Sequence, residues 1–210
     1  TYQQIQDARH KKDNNLALGK EDKFALRMRS DAKALGLGTM YLQGAFTMGD
    51  TLGISSDEAQ GLIDEFFRVN SNIHAMVEDT QGFAHEYGFS HTLLGRCRRH
   101  HAINSTNGGV VGGERRAAWN MSIQGSGAEI MKLAIIRCDN NAEFKALGNK
   151  LCLTVHDELI AIGPTSTGKR SGEIMVEMMA APFRVGPVQL TYPVPLPPDG
   201  GVAYRWGEAK

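Results

Sequence analysis

Leu151-Cys-Leu-Thr-Val-His-Asp-Glu-Leu-Ile-Ala-Ile162 decides the fold class of this chain. Two short apolar runs, Leu151–Val155 and Leu159–Ile162, flank the polar triplet His156-Asp157-Glu158. Strand formers on both sides of charges at a connection read as a tight antiparallel hairpin over about residues 151–162. A carboxylate at the tip of such a rigid element suits holding a hard cation against a phosphate. On the triplet alone, an ordinary polar turn is the stronger reading.

Working outward, helical periodicity replaces strand alternation almost everywhere. Residues from about 21 to 46 read as one helix, with Arg29, Lys33, Leu37 and Tyr41 at four-residue steps. Each such step drifts by about 40°, so the four form a slanting stripe on one side. Arg29 and Lys33 can engage a polyphosphate, the one by its fork and the other as a point charge. Tyr41 can present its ring to a base. A solvated basic face with one aromatic in the core is the plain alternative. Gly36 and Gly38 lie inside this helix, which fits close approach by another backbone or a flat ligand, a packing helix or a bend.

Ser55-Ser-Asp-Glu58 has the form of a capping box, and the apolar pattern that follows predicts a long scaffold helix over about 56–87, stopped by Gly88. Phe89–Leu94 alternates like a short strand. Residues 104–113, rich in Asn and Gly, read as a loop, with helix resuming from Glu114 to about Asn141. On that helix Arg116, Asn120 and Gln124 recur at four-residue steps, a stripe suited to phosphates, sugars and base edges or to plain solvent. Lys169–Ala181 reads as a short helix, and the proline-rich Pro187–Pro198 stretch as extended or looped.

Composition sets the class without naming a function. The chain has 210 residues, 41% hydrophobic and 22% charged, which fits a globular protein with a real core. Formal net charge is zero, so charge placement carries more than the total. Arg96, Arg98, Arg99, His100 and His101 cluster, and they read either as a DNA-facing patch or as a solvated basic loop. Three widely spaced cysteines without a Cys-x-x-Cys pair suggest neither a zinc ribbon nor a disulfide framework. On that cysteine pattern a reducing compartment is the default. No apolar run reaches membrane-spanning length and no signal-peptide pattern opens the chain, and the expected setting is the cytoplasm of a bacterial or phage-infected cell with no membrane partner. The polar stretch through Lys23, opening on Thr1, reads like the middle of a longer sequence.

Taken in order, Arg29-x3-Lys33-x7-Tyr41, Thr92-Leu-Leu-Gly95-Arg96, Arg116-x3-Asn120-x3-Gln124-Gly125 and Val155-His156-Asp157-Glu158 resemble the family A DNA polymerases. The resemblance runs from about Asp22 to Trp206-Gly-Glu-Ala-Lys210, and it fits the C-terminal portion of such an enzyme, phage-type or one half of a split polymerase. It implies an α+β, mainly helical chain. Fingers would occupy about 1–88, and the C-terminal palm portion, with its hairpin, about 89–210. It implies that Arg29 and Lys33 grip the triphosphate of an incoming dNTP, that Leu37 lies beside its sugar, and that Tyr41 stacks near the templating base. Arg116, Asn120, Gln124 and, more loosely, Arg96 would contact primer–template DNA. Asp157 would be a magnesium ligand supported by Glu158, with His156 near the primer end and two Mg2+ ions serving nucleotidyl transfer.

The sequence departs from the family in one large respect. The first palm aspartate, in a motif like Asp-Tyr-Ser followed by Glu-Leu-Arg, does not occur among the 210 residues. Asp157 and Glu158 alone should not anchor two cations, so an upstream polymerase segment or subunit is expected as a partner. Leu37 stands where Phe or Tyr is usual, Leu42 where glycine is typical, and Arg115 where an acidic residue is common. Two other readings compete. A single-subunit RNA polymerase shares the Lys-to-Tyr spacing but usually follows His-Asp with Ser, and a non-catalytic remnant would grip DNA without chemistry.

Overall fold

The computed structural model describes residues 1–185, 188–190 and 196–208. These divide into two compact units, residues 1–90 with 99–120 and residues 91–98 with 121–210.

The first unit opens on α1 (Tyr2–Asp13), capped by Thr1 and Gln4, and α2 (Lys20–Met40). Lys11 Nζ donates to both Asp22 oxygens at 2.9 Å, and Gly19 N–H donates to Asp22 Oδ2 at 2.9 Å. One carboxylate therefore starts α2 and ties it to α1. The expected helix to residue 46 ends earlier, at Met40. Leu42 takes φ +55°, the chain reverses, and α3 (Ala45–Leu52) begins. At buried Gly38 a Cβ would meet Met48 Cε at 2.5 Å and Gln43 Oε1 at 2.6 Å, so the tips of those two side chains would have to shift to admit one. At Gly36 a Cβ would meet nothing within 4 Å.

Ser55 caps α4 (Ser56–Val69), with Glu58 returning the bond to the Ser55 N–H, as the capping-box spacing predicts. Met48, Ala59 and Ile63 form a buried cluster with Leu35, Leu52, Ile54 and Phe67 around it. The single helix expected over 56–87 is two, because Asn70 interrupts it before α5 (Ser71–Tyr87). Its side-chain amide donates to the Phe66 carbonyl at 2.8 Å, an alternative to continuing the helical ladder. Gly88, at φ +74°, ends α5. The region 104–113, expected as a loop, turns helical at Gly108, where α6 (Gly108–Asn120) begins. Asn107 Oδ1 accepts from the N–H groups of Gly109 and Val110, and this cap offsets the poor helix propensity of the glycines that follow.

The short β1 (Phe89–His91) pairs with β2 (Cys97–Arg99). In the second unit a π-turn (Met121–Gly125) leads into α7 (Ser126–Asn140), followed by α8 (Ala142–Ala146). β3 (Lys150–Val155) and β4 (Glu158–Ile162) form the expected antiparallel hairpin, with Val155 opposite Glu158 and a register irregularity between Leu151 and Leu153. α9 (Gly168–Ala180) packs on α7, and Arg137 of α7 donates to the Met178 and Ala181 carbonyls where α9 ends. Ala134, Cys138, Phe144 and Ile174 are buried in this unit. β5 (Phe183–Val185) pairs antiparallel with β6 (Val188–Leu190). Much of the proline-rich Pro187–Pro198 stretch lies outside the described residues. Among the described residues, no helix is long and apolar enough to cross a membrane.

Candidate nucleotide and nucleic-acid site

In the first unit, α2 puts Arg29, Lys33, Leu37 and Tyr41 all at the surface. Leu37 is 46% exposed and Tyr41 39%, so two large apolar groups follow two cations along an uncovered face. Neither cation has an ion-pair partner among the described residues, whereas Arg27 pairs with Asp31 on the same helix. This stripe can take a ligand that is anionic at one end and flat and apolar at the other.

The end of the stripe is fixed by its backbone. Tyr41 N–H reaches the Leu37 carbonyl at 3.0 Å, Leu42 N–H the Thr39 carbonyl at 3.0 Å, and Gln43 N–H the Gly38 carbonyl at 2.8 Å. The left-handed conformation of Leu42 is the physical reason a glycine suits that position. Trp119 of α6 is 1% exposed, and its indole N–H donates to the Met40 carbonyl at 2.5 Å. That bond ties α6, which carries Arg116 and Asn120, to the last residue before Tyr41. Arg116 is exposed. Asn120 is half-buried, and its Oδ1 is covered with no hydrogen-bond partner among the described residues, as is Thr39 Oγ1. A buried acceptor left unmatched costs about 1–3 kcal/mol, the kind of exception that function tolerates.

The expected stripe of Arg116, Asn120 and Gln124 is not a run of plain α-helical steps. Gln124 sits in the π-turn, which holds more residues per turn, and it belongs to the second unit, where it is exposed.

The basic cluster resolves into different roles. Arg96, Arg98, Arg99 and His101 are exposed, but His100 is 1% exposed. Its Nε2 meets Ser90 Oγ at 2.8 Å and its Nδ1 meets Glu114 Oε2 at 2.7 Å. The arrangement resembles a nucleophile, base and orienting acid, yet Ser90 is itself 1% exposed, so it serves as an internal polar brace. Of the expected patch, His100 faces inward.

In the second unit the turn of the β3–β4 hairpin is His156-Asp157, and Glu158 opens β4. His156, Asp157 and Glu158 are all exposed. His156 has φ +55°, at the loop position where glycine is preferred when φ is positive, so the turn holds a strained residue beside the carboxylates. Asp157 and Glu158 offer the hard oxygens that magnesium takes, but among the described residues no group of three or more His, Cys, Asp or Glu side chains could hold a metal. The donors fit the ion in kind and fall short in number.

Sequence reasoning missed Glu129, which is 6% exposed in the first turn of α7. It accepts from Arg96 Nε at 3.0 Å and from the Thr92 hydroxyl, thirty-odd positions away in the chain. Thr92 and Arg96 were legible as a motif; their partner carried no local signal.

Against this geometry, comparisons with known proteins agree with one another. The sequence model of DNA polymerase family A matches residues 1–208. DNA polymerase I of Pseudomonas aeruginosa is 34% identical over 184 residues, covering 86% of this chain and 19% of that polymerase. The thermostable DNA polymerase I of Thermus thermophilus is 32% identical over 183 residues, covering 87% and 21%. The chain thus spans about a fifth of the length of these relatives. Among solved structures, the POL domain of Pol1 from M. smegmatis, in complex with DNA primer-template and dNTP, superposes with a TM-score of 0.68 at 30% identity, covering 72% of this chain and 27% of that one. The chain belongs to DNA polymerase family A.

Proposed function

We propose that this chain supplies the fingers, over about residues 1–88, and the C-terminal part of the palm, over about 89–210, of a polymerase that extends a primer 3′-hydroxyl with dNTPs on a DNA template. The observation that carries the reading is the uncovered α2 stripe, two unpaired cations followed by Leu37 and Tyr41. A deoxynucleoside triphosphate has that same sequence of chemistry: polyphosphate, sugar, base. The solved relative bound to primer-template and dNTP supports it.

In this reading the primer oxygen attacks the α-phosphate and pyrophosphate leaves in line. Arg29 takes phosphate oxygens through its fork and Lys33 neutralises charge that grows on the leaving pyrophosphate. Leu37 packs beside the sugar, and Tyr41 bounds the space for the new base pair. Arg116, Asn120, Gln124 and Arg96 hold primer and template, while His156 approaches the primer end. Asp157 and Glu158 would hold magnesium, of which a two-ion set would stabilise the attacking and leaving oxygens.

Two neighbouring carboxylates are too few for two ions, so the proposal includes an upstream segment bearing the first aspartate. The uncovered apolar side of the hairpin supports such a partner. Leu153 is 47% exposed and, with Ile135, Leu151 and Leu159, lines a shallow groove, and Ile162 is 67% exposed. The setting that fits is the cytoplasm.

Primer extension tests the reading. The chain alone is expected to extend nothing. Mixed with a polypeptide carrying the upstream palm motif, it extends a primer, Lys33→Ala lowers kcat/KM by roughly 100-fold or more, and Asp157→Asn abolishes extension. Robust extension by the chain alone, or by the Asp157→Asn mixture, would overturn it.

A further inference from the structure

We infer that Glu129 is a positioning residue for DNA binding, one that holds the Arg96 guanidinium by its inner edge so that the outer edge faces a backbone phosphate. The inference rests on the proposal that Arg96 contacts DNA, and it adds the group that makes that contact directional.

The geometry lies within the second unit. Residues Thr92 to Arg96 form a tight turn: Gly95 N–H reaches the Thr92 carbonyl at 3.0 Å, Thr92 N–H the Arg96 carbonyl at 2.9 Å, and Arg96 N–H the Thr92 hydroxyl oxygen at 3.0 Å. Gly95 has φ +88° at its corner. The turn is seated on the start of α7 by Ser126 Oγ, which accepts from Leu93 N–H at 2.8 Å. It sits so close that a Cβ on Gly125 would meet Thr92 Cγ2 at 2.8 Å. Glu129 then fixes both ends, taking the Thr92 hydroxyl on Oε2 and Arg96 Nε on Oε1.

The side-chain exposures show what this achieves. Glu129 is 8% exposed and Arg96 59%. The carboxylate is sealed and holds Arg96 through Nε and Thr92 through its hydroxyl, while neither Nη group of Arg96 has a hydrogen-bond partner among the described residues. A free surface arginine must lose its side-chain freedom to meet a phosphate; one already held at Nε has lost part of it beforehand. A lysine could not serve, because its single ammonium cannot satisfy a buried carboxylate and an outward phosphate from opposite edges.

Charge bookkeeping predicts the reverse sign, which makes the inference testable. Removing a carboxylate near DNA should tighten binding; removing an anchor should weaken it. The test is fluorescence anisotropy of a labelled primer–template duplex with the 210-residue chain at several KCl concentrations. Arg96→Gln is expected to weaken binding about tenfold and to lower the salt slope by about 0.9. Glu129→Gln is expected to weaken it about threefold to tenfold, and to change nothing further in the Arg96→Gln background. Arg96→Lys, which leaves Glu129 intact and needs no refolding of its surroundings, should bind like Arg96→Gln.

Binding by Glu129→Gln equal to or tighter than the unsubstituted chain overturns the inference alone. So does an equal loss from Glu129→Gln in both backgrounds, which would mark a merely structural role, or full affinity in Arg96→Lys. No loss from Arg96→Gln, or no duplex binding by the unsubstituted chain, overturns the assignment of Arg96 to DNA and the inference with it.

Discussion

Trp119→Phe isolates the link between α6 and the end of the α2 stripe. The Met40 carbonyl is among the last four of α2 and has no partner within the helix, so the indole N–H is the donor that satisfies it. Phenylalanine keeps most of the ring and removes the donor. Losing the bond should cost about 1 kcal/mol, with up to about 1 kcal/mol more if water does not replace it at this half-buried carbonyl. The smaller ring leaves a void at a residue 1% exposed, adding roughly 1 kcal/mol. A total of about 2–3 kcal/mol corresponds to a fall in Tm of about 4–12 °C for a chain of this size. A benzothienylalanine at the same position replaces N–H by sulfur at nearly constant volume, and should show the bond's share alone, about 1–2 kcal/mol. Thermal unfolding followed by circular dichroism reads both. If the benzothienyl variant melts with the unsubstituted chain while Trp119→Phe falls, packing alone explains the residue and the hydrogen bond does not anchor Tyr41.

Two further outcomes follow from single residues. His156→Gly should raise the stability of the second unit, because it relieves about 1–2 kcal/mol of left-handed strain against about 0.5–1 kcal/mol of added chain entropy, while lowering primer extension in the reconstituted mixture; a fall in the urea midpoint would refute the strain argument. Asp22 is held below the ordinary carboxylate range, chiefly by the Lys11 hydrogen bond and then by Gly19 N–H, against an opposing effect of burial. Because its folded value is the lower one, its stabilisation is present above the ordinary Asp range and is lost as pH falls through the folded value. Asp22→Asn should therefore be less stable than the unsubstituted chain at pH 7, and the gap should close as pH falls below the ordinary Asp range. A constant gap across that range in urea titrations would show that the charge is not what joins α1 to α2.

What could be read from the chain, and what could not, divides by the range of the interaction responsible. The β3–β4 hairpin was legible because alternation, loop length and the pairing of Val155 with Glu158 are set within a dozen residues. The Ser55 cap and the Gly88 stop were legible for the same reason. The break at Asn70 was not, since it depends on whether an amide turns back to the Phe66 carbonyl or outward to solvent. The helical start at Gly108 defeated a propensity argument, because one side chain, Asn107, outweighed the glycines. The π-turn at Met121–Gly125 changes the phase of a stripe that simple spacing takes as regular. The outward placement of Arg29, Lys33 and Leu37 on a regular helix could be read from spacing. His100 and Glu129 could not, because burial and partners from distant positions define their roles.

The strained positions give that division a functional edge. Among the described residues three non-glycine side chains adopt positive φ: Asn15, Leu42 and His156. Asn tolerates that region, so Asn15 needs no special account. His is also enriched there, so Leu42 is the unusual one; both Leu42 and His156 directly neighbour a residue assigned by resemblance to the reaction, Tyr41 in one case and Asp157 in the other. A left-handed residue reverses the chain within one position, which ends a helix or turns a hairpin without lengthening it. Tyr41 is thereby kept on the last turn of α2, in line with Lys33, and Asp157 at the tip of its ladder. Glycine at either site, the residue expected by resemblance at position 42, would relax the backbone and keep the reversal. The reversal and not the strain therefore sets where Tyr41 and Asp157 stand, and glycine at either position should keep the backbone path while raising stability.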